Sequence, residues 1–159
     1  MDFHRGCPDA AATSEAGADF ALVLRPGDVV LLSGTLGAGK TTFVQGVARA
    51  LGVLERVTSP TFTMVRPHDA HNDRGIATVH HADVYRIDGL GEVLDLDLGE
   101  LVEEAAVALV EWGDLAASIF GRDVLTLAFE VLHDGDGRCI SAGGSIDEQR
   151  ARALKVWSS

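Results

Sequence analysis

A glycine-rich stretch in the N-terminal half of the chain has the residue types and spacing of a phosphate-binding loop. Gly34–Thr41 reads GTLGAGKT and fits G-x-x-x-x-G-K-[ST] at every fixed position. Glycine lets the backbone bend and approach a ligand closely, so that successive N–H groups can surround phosphate oxygens. Lys40 could reach the β- and γ-phosphates as a point charge, and the hydroxyl of Thr41 could bind Mg²⁺. The predicted nucleotide-binding residues in and after this loop are Gly34, Leu36, Gly37, Ala38, Gly39, Lys40, Thr41 and Thr42.

Phosphoryl transfer also needs an acid near the metal, and two residues are candidates for that role. Glu111 directly follows the apolar run Val107–Val110, and Asp83 lies inside a second strand candidate. A charge at the end of a buried strand is uncommon, which favours a functional role for both acids, although a solvated carboxylate is the alternative. Thr58–Thr63 places several hydroxyls beside Pro60 and could sense the γ-phosphate as a switch, although such a stretch is by itself a common loop.

The elements that must position these residues alternate between strand and helix. Short apolar runs predict strands at residues 29–32, 76–87, 107–110, 124–132 and 138–141. The last of these could pair back on the strand before it as a hairpin. Apolar residues at helical spacing predict helices at residues 15–24, 40–51, 88–104 and 145–157. Thr13 or Ser14 would cap the first helix, and Ser145 with Glu148 forms a capping box for the last.

This order predicts an α/β fold: a single P-loop NTPase-like domain with a central mixed β-sheet flanked by helices. We expect the domain to span residues 13–159, after a flexible N-terminus at residues 1–12. Residues 61–65 are predicted to be extended, and residues 68–75 are polar and turn-like.

The composition excludes several classes of protein. The chain of 159 residues has 13 basic and 24 acidic residues, and a net charge of −11 disfavours nucleic-acid coating and polybasic membrane binding. No apolar run approaches the roughly 20 residues of a membrane span, and the first residues lack the apolar core of a signal peptide. Cys7 and Cys139 share no metal or redox spacing, which predicts two reduced thiols. We expect a cytoplasmic protein that binds neither membrane nor DNA.

Other nucleotide or metal chemistries find less support in the sequence. A guanine-reading N-K-x-D stretch is absent, and the arginines are scattered rather than clustered as in the lid of a kinase. Zinc binding is imaginable at His68, His71, His80 and His81, but their spacing matches no standard zinc site, and a solvated loop plus one strand histidine is the expected alternative.

Four blocks in this order give the chain a family resemblance. They are GTLGAGKTTF at Gly34–Phe43, SPTFT at Ser59–Thr63, HADVYR at His81–Arg86 and VEW at Val110–Trp112. At this spacing the chain resembles the bacterial TsaE (YjeE-type) ATPases, which serve in making threonylcarbamoyladenosine on transfer RNA. Members commonly have an acid after the first loop glycine, where this chain has Thr35.

The resemblance implies an ATPase that uses Mg²⁺ and ATP, is weak alone, and works with the proteins TsaD and TsaB on the modification at tRNA position 37. The chain would contact transfer RNA only indirectly, through that complex. A small-molecule P-loop kinase and a nucleotide-gated binding module without significant turnover are the alternatives.

The resemblance also assigns roles to single residues. Lys40 and Thr41 would hold phosphate and Mg²⁺, Glu111 would help to hold Mg²⁺ and order the attacking water, and Asp83 would be a second catalytic carboxylate. Trp112 would lie close to the nucleotide, whereas the sequence alone favours a core position for this ring. The switch would consist of Ser59, Pro60 and Thr61.

Overall fold

The computed structural model describes residues 3–35, 37–58, 65–83, 105–111, 124–133, 135 and 137–159. Within these residues seven strands form one sheet: β1 (Phe3–Cys7), β2 (Val29–Ser33), β3 (Val65–Asp69), β4 (Thr78–Asp83), β5 (Ala106–Glu111), β6 (Leu125–Val131) and β7 (Arg138–Gly144). The same ranges contain three helices: α1 (Ala10–Phe20), α2 (Lys40–Ala50) and α3 (Glu148–Trp157).

The centre of the sheet is parallel. The strand order is β1-β7-β6-β2-β5-β4-β3, and β6, β2, β5 and β4 pair in parallel with their neighbours. Every residue of β5 is buried, and so are Val29–Leu32 of β2. A strand buried on both faces needs a continuous apolar run, which is why these two strands were recognisable in the sequence.

Antiparallel strands extend the sheet at both edges and make it mixed. β7 pairs with β6 and β1 pairs with β7 on one side, while β3 pairs with β4 on the other. The connection from β6 to β7 is the predicted hairpin, although β7 runs on to Gly144. The predicted α/β fold with a mixed central sheet flanked by helices is therefore confirmed.

The N-terminal segment differs from the flexible N-terminus predicted at residues 1–12. Phe3–Cys7 pairs with β7 along its whole length, and the side chains at both of its ends are buried. The intervening residues are polar or glycine, so the segment has no apolar run by which a strand could be recognised. Its extended structure depends on pairing with β7, a strand that follows much later in the chain.

Both predicted cap assignments are wrong, because aspartates cap α1 and α3. The Oδ1 of Asp9 accepts a hydrogen bond from the N–H of Ala12 at 2.8 Å, so α1 begins at Ala10 rather than at residue 15. Asp147 caps α3 in place of Ser145, and its carboxylate also pairs with the guanidinium of Arg25 at 2.7 and 3.0 Å. The hydrogen bond from Arg25 holds the pKa of Asp147 below its ordinary value.

One further difference between the prediction and the structure concerns the middle of the chain. His68 and Asp69 belong to β3 and not to a turn. Two predictions, the acidic helix at residues 88–104 and the extended segment at residues 61–64, lie outside the described residues, as do residues 84–87 of the predicted second strand.

Two further expectations can be compared with the described part of the chain. Cys7 and Cys139 are free, as predicted. Among the described helices, none combines the length and the apolar character that crossing a bilayer requires. The cytoplasmic location stays a prediction.

Two glycines allow α1 and α2 to cross in backbone contact. A Cβ atom on Gly46 would lie 1.9 Å from the carbonyl oxygen of Ser14, and one on Gly17 would lie 2.1 Å from that of Phe43. The ring of Phe43 in turn packs against those of Phe20 and Phe129, with centroids 5.6 and 5.4 Å apart. The helix that begins at Lys40 is thereby held firmly against α1.

Gly46→Ala should therefore destabilise the protein, because its methyl group has no space between the two helix backbones. We expect the free energy of unfolding to fall by about 1–3 kcal/mol, the usual cost of overpacking. Urea unfolding followed by circular dichroism measures this change. Gly6→Ala in β1 is the control, since a Cβ there would have nothing within 4 Å. Equal stability of the two variants would contradict the close helix crossing.

Candidate active site

The predicted phosphate-binding loop lies between β2 and α2, at the carboxyl end of the parallel strands. Gly34, Gly37 and Gly39 have φ values of 142°, 82° and 98°, in the region that favours glycine. A Cβ on Gly34 would also lie 2.7 Å from the carbonyl oxygen of Phe129. Gly39 caps α2 without a side-chain hydrogen bond, so the first N–H groups of the helix face the loop. The sequence pattern thus has the backbone geometry that anion binding requires.

Lys40 is buried inside this loop, with 4% of its surface exposed. Its Nζ donates hydrogen bonds to the carbonyl oxygens of Gly34 at 2.6 Å and Thr35 at 3.2 Å. Burial lowers the pKa of Lys40, while the charges of Glu111 and Asp83 oppose this shift. The loop therefore encloses a cation that two nearby carboxylates stabilise against the effect of burial.

The other end of the site is a contact between α2 and β5. The hydroxyl of Thr41 donates to both carboxylate oxygens of Glu111, each at 3.2 Å. Glu111 is the last residue of β5 and only 4% exposed. Its Cα is paired with Leu32 on one side and Asp83 on the other. The strand register thus brings the two predicted acids together beside the loop.

His81 is a site residue to which the sequence analysis gave no role beside the two acids. It is fully buried in β4, and its Nε2 contacts the Oε2 of Glu111. The carboxylate of Glu111 is therefore held from two directions, by Thr41 and by His81. The period of two along the strand predicts His81 and Asp83 on one face, but it does not predict the contact with Glu111 on the neighbouring strand.

The histidines do not form one site within the described residues. His68 contacts Glu55, with Nδ1 and Oε1 2.5 Å apart, whereas His81 contacts Glu111. No group of three or more potential metal-binding side chains occurs in the ranges that the structure describes.

Arg138 is a second residue that the sequence analysis missed. Its Nη2 donates to the carbonyl oxygen of Gly37 at 3.0 Å, and its Nη1 donates to those of Gly135 and Gly137, also at 3.0 Å. The guanidinium thus connects the phosphate-binding loop to the β6–β7 turn. No local pattern could reveal this contact, because it depends on β6 lying next to β2.

Several predicted site residues lie outside the described residues. They are Leu36 of the loop, Trp112, and the switch residues Ser59, Pro60 and Thr61. Their roles stay predictions.

A comparison with protein-family models identifies the family. The model described as "Threonylcarbamoyl adenosine biosynthesis protein TsaE" matches residues 7–140. The chain belongs to the TsaE family. The matched range contains the phosphate-binding loop, both strand-end acids, His81 and Arg138, whereas α3 lies beyond it.

Individual TsaE relatives agree with this assignment. The chain is 39% identical over 127 residues to a protein named tRNA threonylcarbamoyladenosine biosynthesis protein TsaE from Treponema pallidum, covering 80% of this chain and 90% of that protein. It is 44% identical over 117 residues to a protein of the same name from Streptomyces coelicolor, covering 73% and 77% of the two chains. The predicted TsaE resemblance is confirmed.

A solved structure shares the fold. The crystal structure of Bacillus subtilis YdiB superimposes with a TM-score of 0.77 and 28% identity, over 99% of this chain and 95% of that one. The antiparallel strands at the sheet edges thus belong to an architecture that an experimentally determined structure also has.

The electrostatics of the TsaE-family site can be tested by titrating Lys40. Lys40 and Lys155 are the two lysines of the chain, so Lys155→Arg leaves a single lysine signal. We expect the ¹³Cε resonance of Lys40 to titrate below the ordinary pKa of 10.5, because burial disfavours the ammonium. Glu111→Gln in the same background should lower this pKa further, because it removes a negative charge that stabilises the ammonium. An unchanged or higher pKa in that variant would contradict the geometry.

Proposed function

We propose that this chain binds and hydrolyses Mg-ATP in support of tRNA threonylcarbamoyladenosine biosynthesis at position 37, together with a TsaD–TsaB pair. The observation that carries the proposal is the contact of Thr41 with Glu111 beside a loop that encloses Lys40. The family model and the names of the relatives support the pathway.

The loop would bind the triphosphate through backbone N–H groups and one cation. The N–H groups at the start of α2 carry the positive end of the helix dipole, which favours phosphate oxygens. Lys40 already lies within hydrogen-bond reach of the loop carbonyls, so its ammonium would exchange those acceptors for the outer phosphates. Burial makes such a charge-assisted contact stronger than it would be in water.

Thr41 in α2 and Glu111 at the end of β5 fit a magnesium ion. Mg²⁺ prefers oxygen ligands and is usually held by one or two protein side chains and the phosphates. The hydroxyl of Thr41 and the carboxylate of Glu111 are adjacent, and both are oxygen donors. When bound, the ion would neutralise charge on the phosphate oxygens.

The carboxylates would then serve the hydrolytic step. Water adds to the γ-phosphorus as its bond to the bridging oxygen breaks, which releases ADP and inorganic phosphate. Glu111 would help to hold the ion and order this water, with His81 fixing the carboxylate in place. Asp83, paired with Glu111 across the sheet, would be the second catalytic carboxylate.

The overall charge supports a role in which the chain does not itself bind RNA. A chain with a net charge of −11 repels transfer RNA, so contact with the substrate would come through its partners. ATP turnover would reset the partner complex rather than perform the transfer itself.

Lys40→Ala should abolish turnover and weaken Mg-ATP binding, because it removes the cation enclosed by the loop. Loss of a charge-assisted hydrogen bond predicts an affinity at least about tenfold lower by titration calorimetry. Lys155→Ala is the matched control, since it makes the same substitution at an exposed position on α3. If Lys40→Ala binds as tightly as the control, the loop does not bind nucleotide.

Glu111→Gln and Asp83→Asn should separate binding from turnover. Both remove a charge needed in the transition state, so we expect kcat to fall by about 10²-fold or more while Mg-ATP is still bound. Phosphate release without any acceptor, together with calorimetry, measures the two effects. Glu130→Gln, on an exposed position of β6, is the control. Unchanged turnover in both active-site variants would exclude this assignment.

The purified chain should be a poor ATPase that its partners stimulate. A cation supplied in trans can accelerate phosphoryl transfer by about 10³–10⁵-fold. Steady-state phosphate release with and without purified TsaD and TsaB tests this expectation. Rapid turnover by the chain alone, with no increase on adding the pair, would indicate a self-sufficient enzyme. ATP-dependent complex formation without turnover would indicate a nucleotide-gated binding module.

A further inference from the structure

A groove of about 340 Å³ lies between the C-terminal half of α2 and the residues that follow this helix. Its lining includes the buried aliphatic side chains of Ala48, Val53 and Val57. Leu54 comes directly after one of these residues, and 87% of its surface is exposed. One exposed leucine is ordinary on a protein surface. The charges around the groove are therefore what indicates whether a partner covers it.

The arginines around this groove differ from the others in their partners. In the part of the chain that the structure describes, most arginines have a carboxylate or a carbonyl oxygen at ion-pair or hydrogen-bond distance. These are Arg5, Arg25, Arg74, Arg138, Arg150 and Arg152. Among the same described residues, three exposed arginines have neither, and they are Arg49, Arg56 and Arg66. Arg49 donates to the hydroxyl of Ser14 at 3.2 Å, which leaves its charge without an opposite charge.

All three of these arginines lie around the groove. Arg49 and Arg56 line it directly. Arg66 is two residues from His68 in β3, so the two side chains lie on one face of the sheet, roughly 7 Å apart. His68 in turn contacts the lining residue Glu55, with Nδ1 and Oε1 2.5 Å apart. Glu55 is the one acid among the described lining residues, so the groove is positive in a chain whose formal charge is −11.

We propose that this groove and its three arginines bind an acidic segment of a partner protein, with Leu54 packed against an apolar side chain of that segment. Carboxylates of the segment would pair with the guanidinium groups, whose planar donors suit bidentate contact. RNA fits the surface less well, because an aliphatic floor offers nothing to phosphates and the overall negative charge of the chain repels them. The proposal is independent of nucleotide binding, since the described lining residues of the groove are not part of the candidate active site.

The surface can be tested with a blocked peptide in which glutamates surround a leucine. The peptide is titrated, without nucleotide, into the ¹⁵N-labelled full chain, and we expect backbone amide shifts at residues 49–57 and at Arg66. Replacing the leucine of the peptide by serine should weaken binding about tenfold, because the aliphatic contact is lost. A peptide with lysines in place of the glutamates should not bind.

Charge variants of the chain test the arginines and the acid separately. Arg56→Gln combined with Arg66→Gln should weaken peptide binding about tenfold, because two exposed ion pairs are lost. Arg152→Gln, at an exposed arginine on α3, is the matched control and should leave the affinity unchanged. Glu55→Gln should instead strengthen binding about twofold, because it removes a repulsive charge and keeps an oxygen for His68.

A further pair of variants tests the apolar contact. Leu54→Ser should weaken binding of the leucine peptide about tenfold and leave that of the serine peptide unchanged. Leu22→Ser is the control, since Leu22 is also exposed, at 66%, and is not a lining residue of the groove.

Several results would overturn the proposal. They are the absence of amide shifts at the groove, equal affinity for the leucine and serine peptides, and unchanged or weaker binding by Glu55→Gln. Equal weakening by Arg152→Gln and by the double variant would show that the peptide responds only to overall charge. Transfer RNA is titrated in the same way, and tighter binding of the RNA at the same residues would indicate a nucleic-acid surface instead.

Discussion

The parallel register of β2, β5 and β4 is the constraint on which the site depends. Because Leu32, Glu111 and Asp83 are paired across these strands, the phosphate-binding loop and both acids leave the sheet at the same edge. Ligands of open α/β sheets bind at the carboxyl ends of the strands for this reason. A shift of one residue in either pairing would turn Glu111 or Asp83 to the other face of the sheet.

The buried charges at this edge each have polar partners. Lys40 and Glu111 are each about 4% exposed, and a buried charge is tolerated only when it has partners. Loop carbonyls accept from Lys40, and Thr41 and His81 contact Glu111. Burial lowers the pKa of Lys40 and the charges of both acids oppose this shift, so the loop interacts electrostatically with the strand ends.

The loop is held from two sides by residues outside its motif. On one side, Gly17 and Gly46 let α1 touch α2, so the helix that begins at Lys40 has a fixed position. On the other, Arg138 donates to the carbonyl of Gly37 and so ties the loop to the β6–β7 turn. These supports reduce the conformational freedom that phosphate binding would otherwise have to remove.

The sequence by itself determined the features that depend on near neighbours in the chain. The loop motif, the apolar runs of β2 and β5 and the two acids in the strand candidates are local patterns, and they were sufficient to predict the fold class and to propose Lys40, Thr41, Glu111 and Asp83. Only the tertiary structure decided the contacts between distant residues. His81 meets Glu111 across 30 positions, and Arg138 meets Gly37 across 101. The strand at Phe3–Cys7 likewise depends on its pairing with β7. Asp147, which caps α3 in place of Ser145, also pairs with the distant Arg25. The pairing of strands that creates these contacts leaves no periodic signal in the sequence, because the strand order is settled by the packing of the whole sheet.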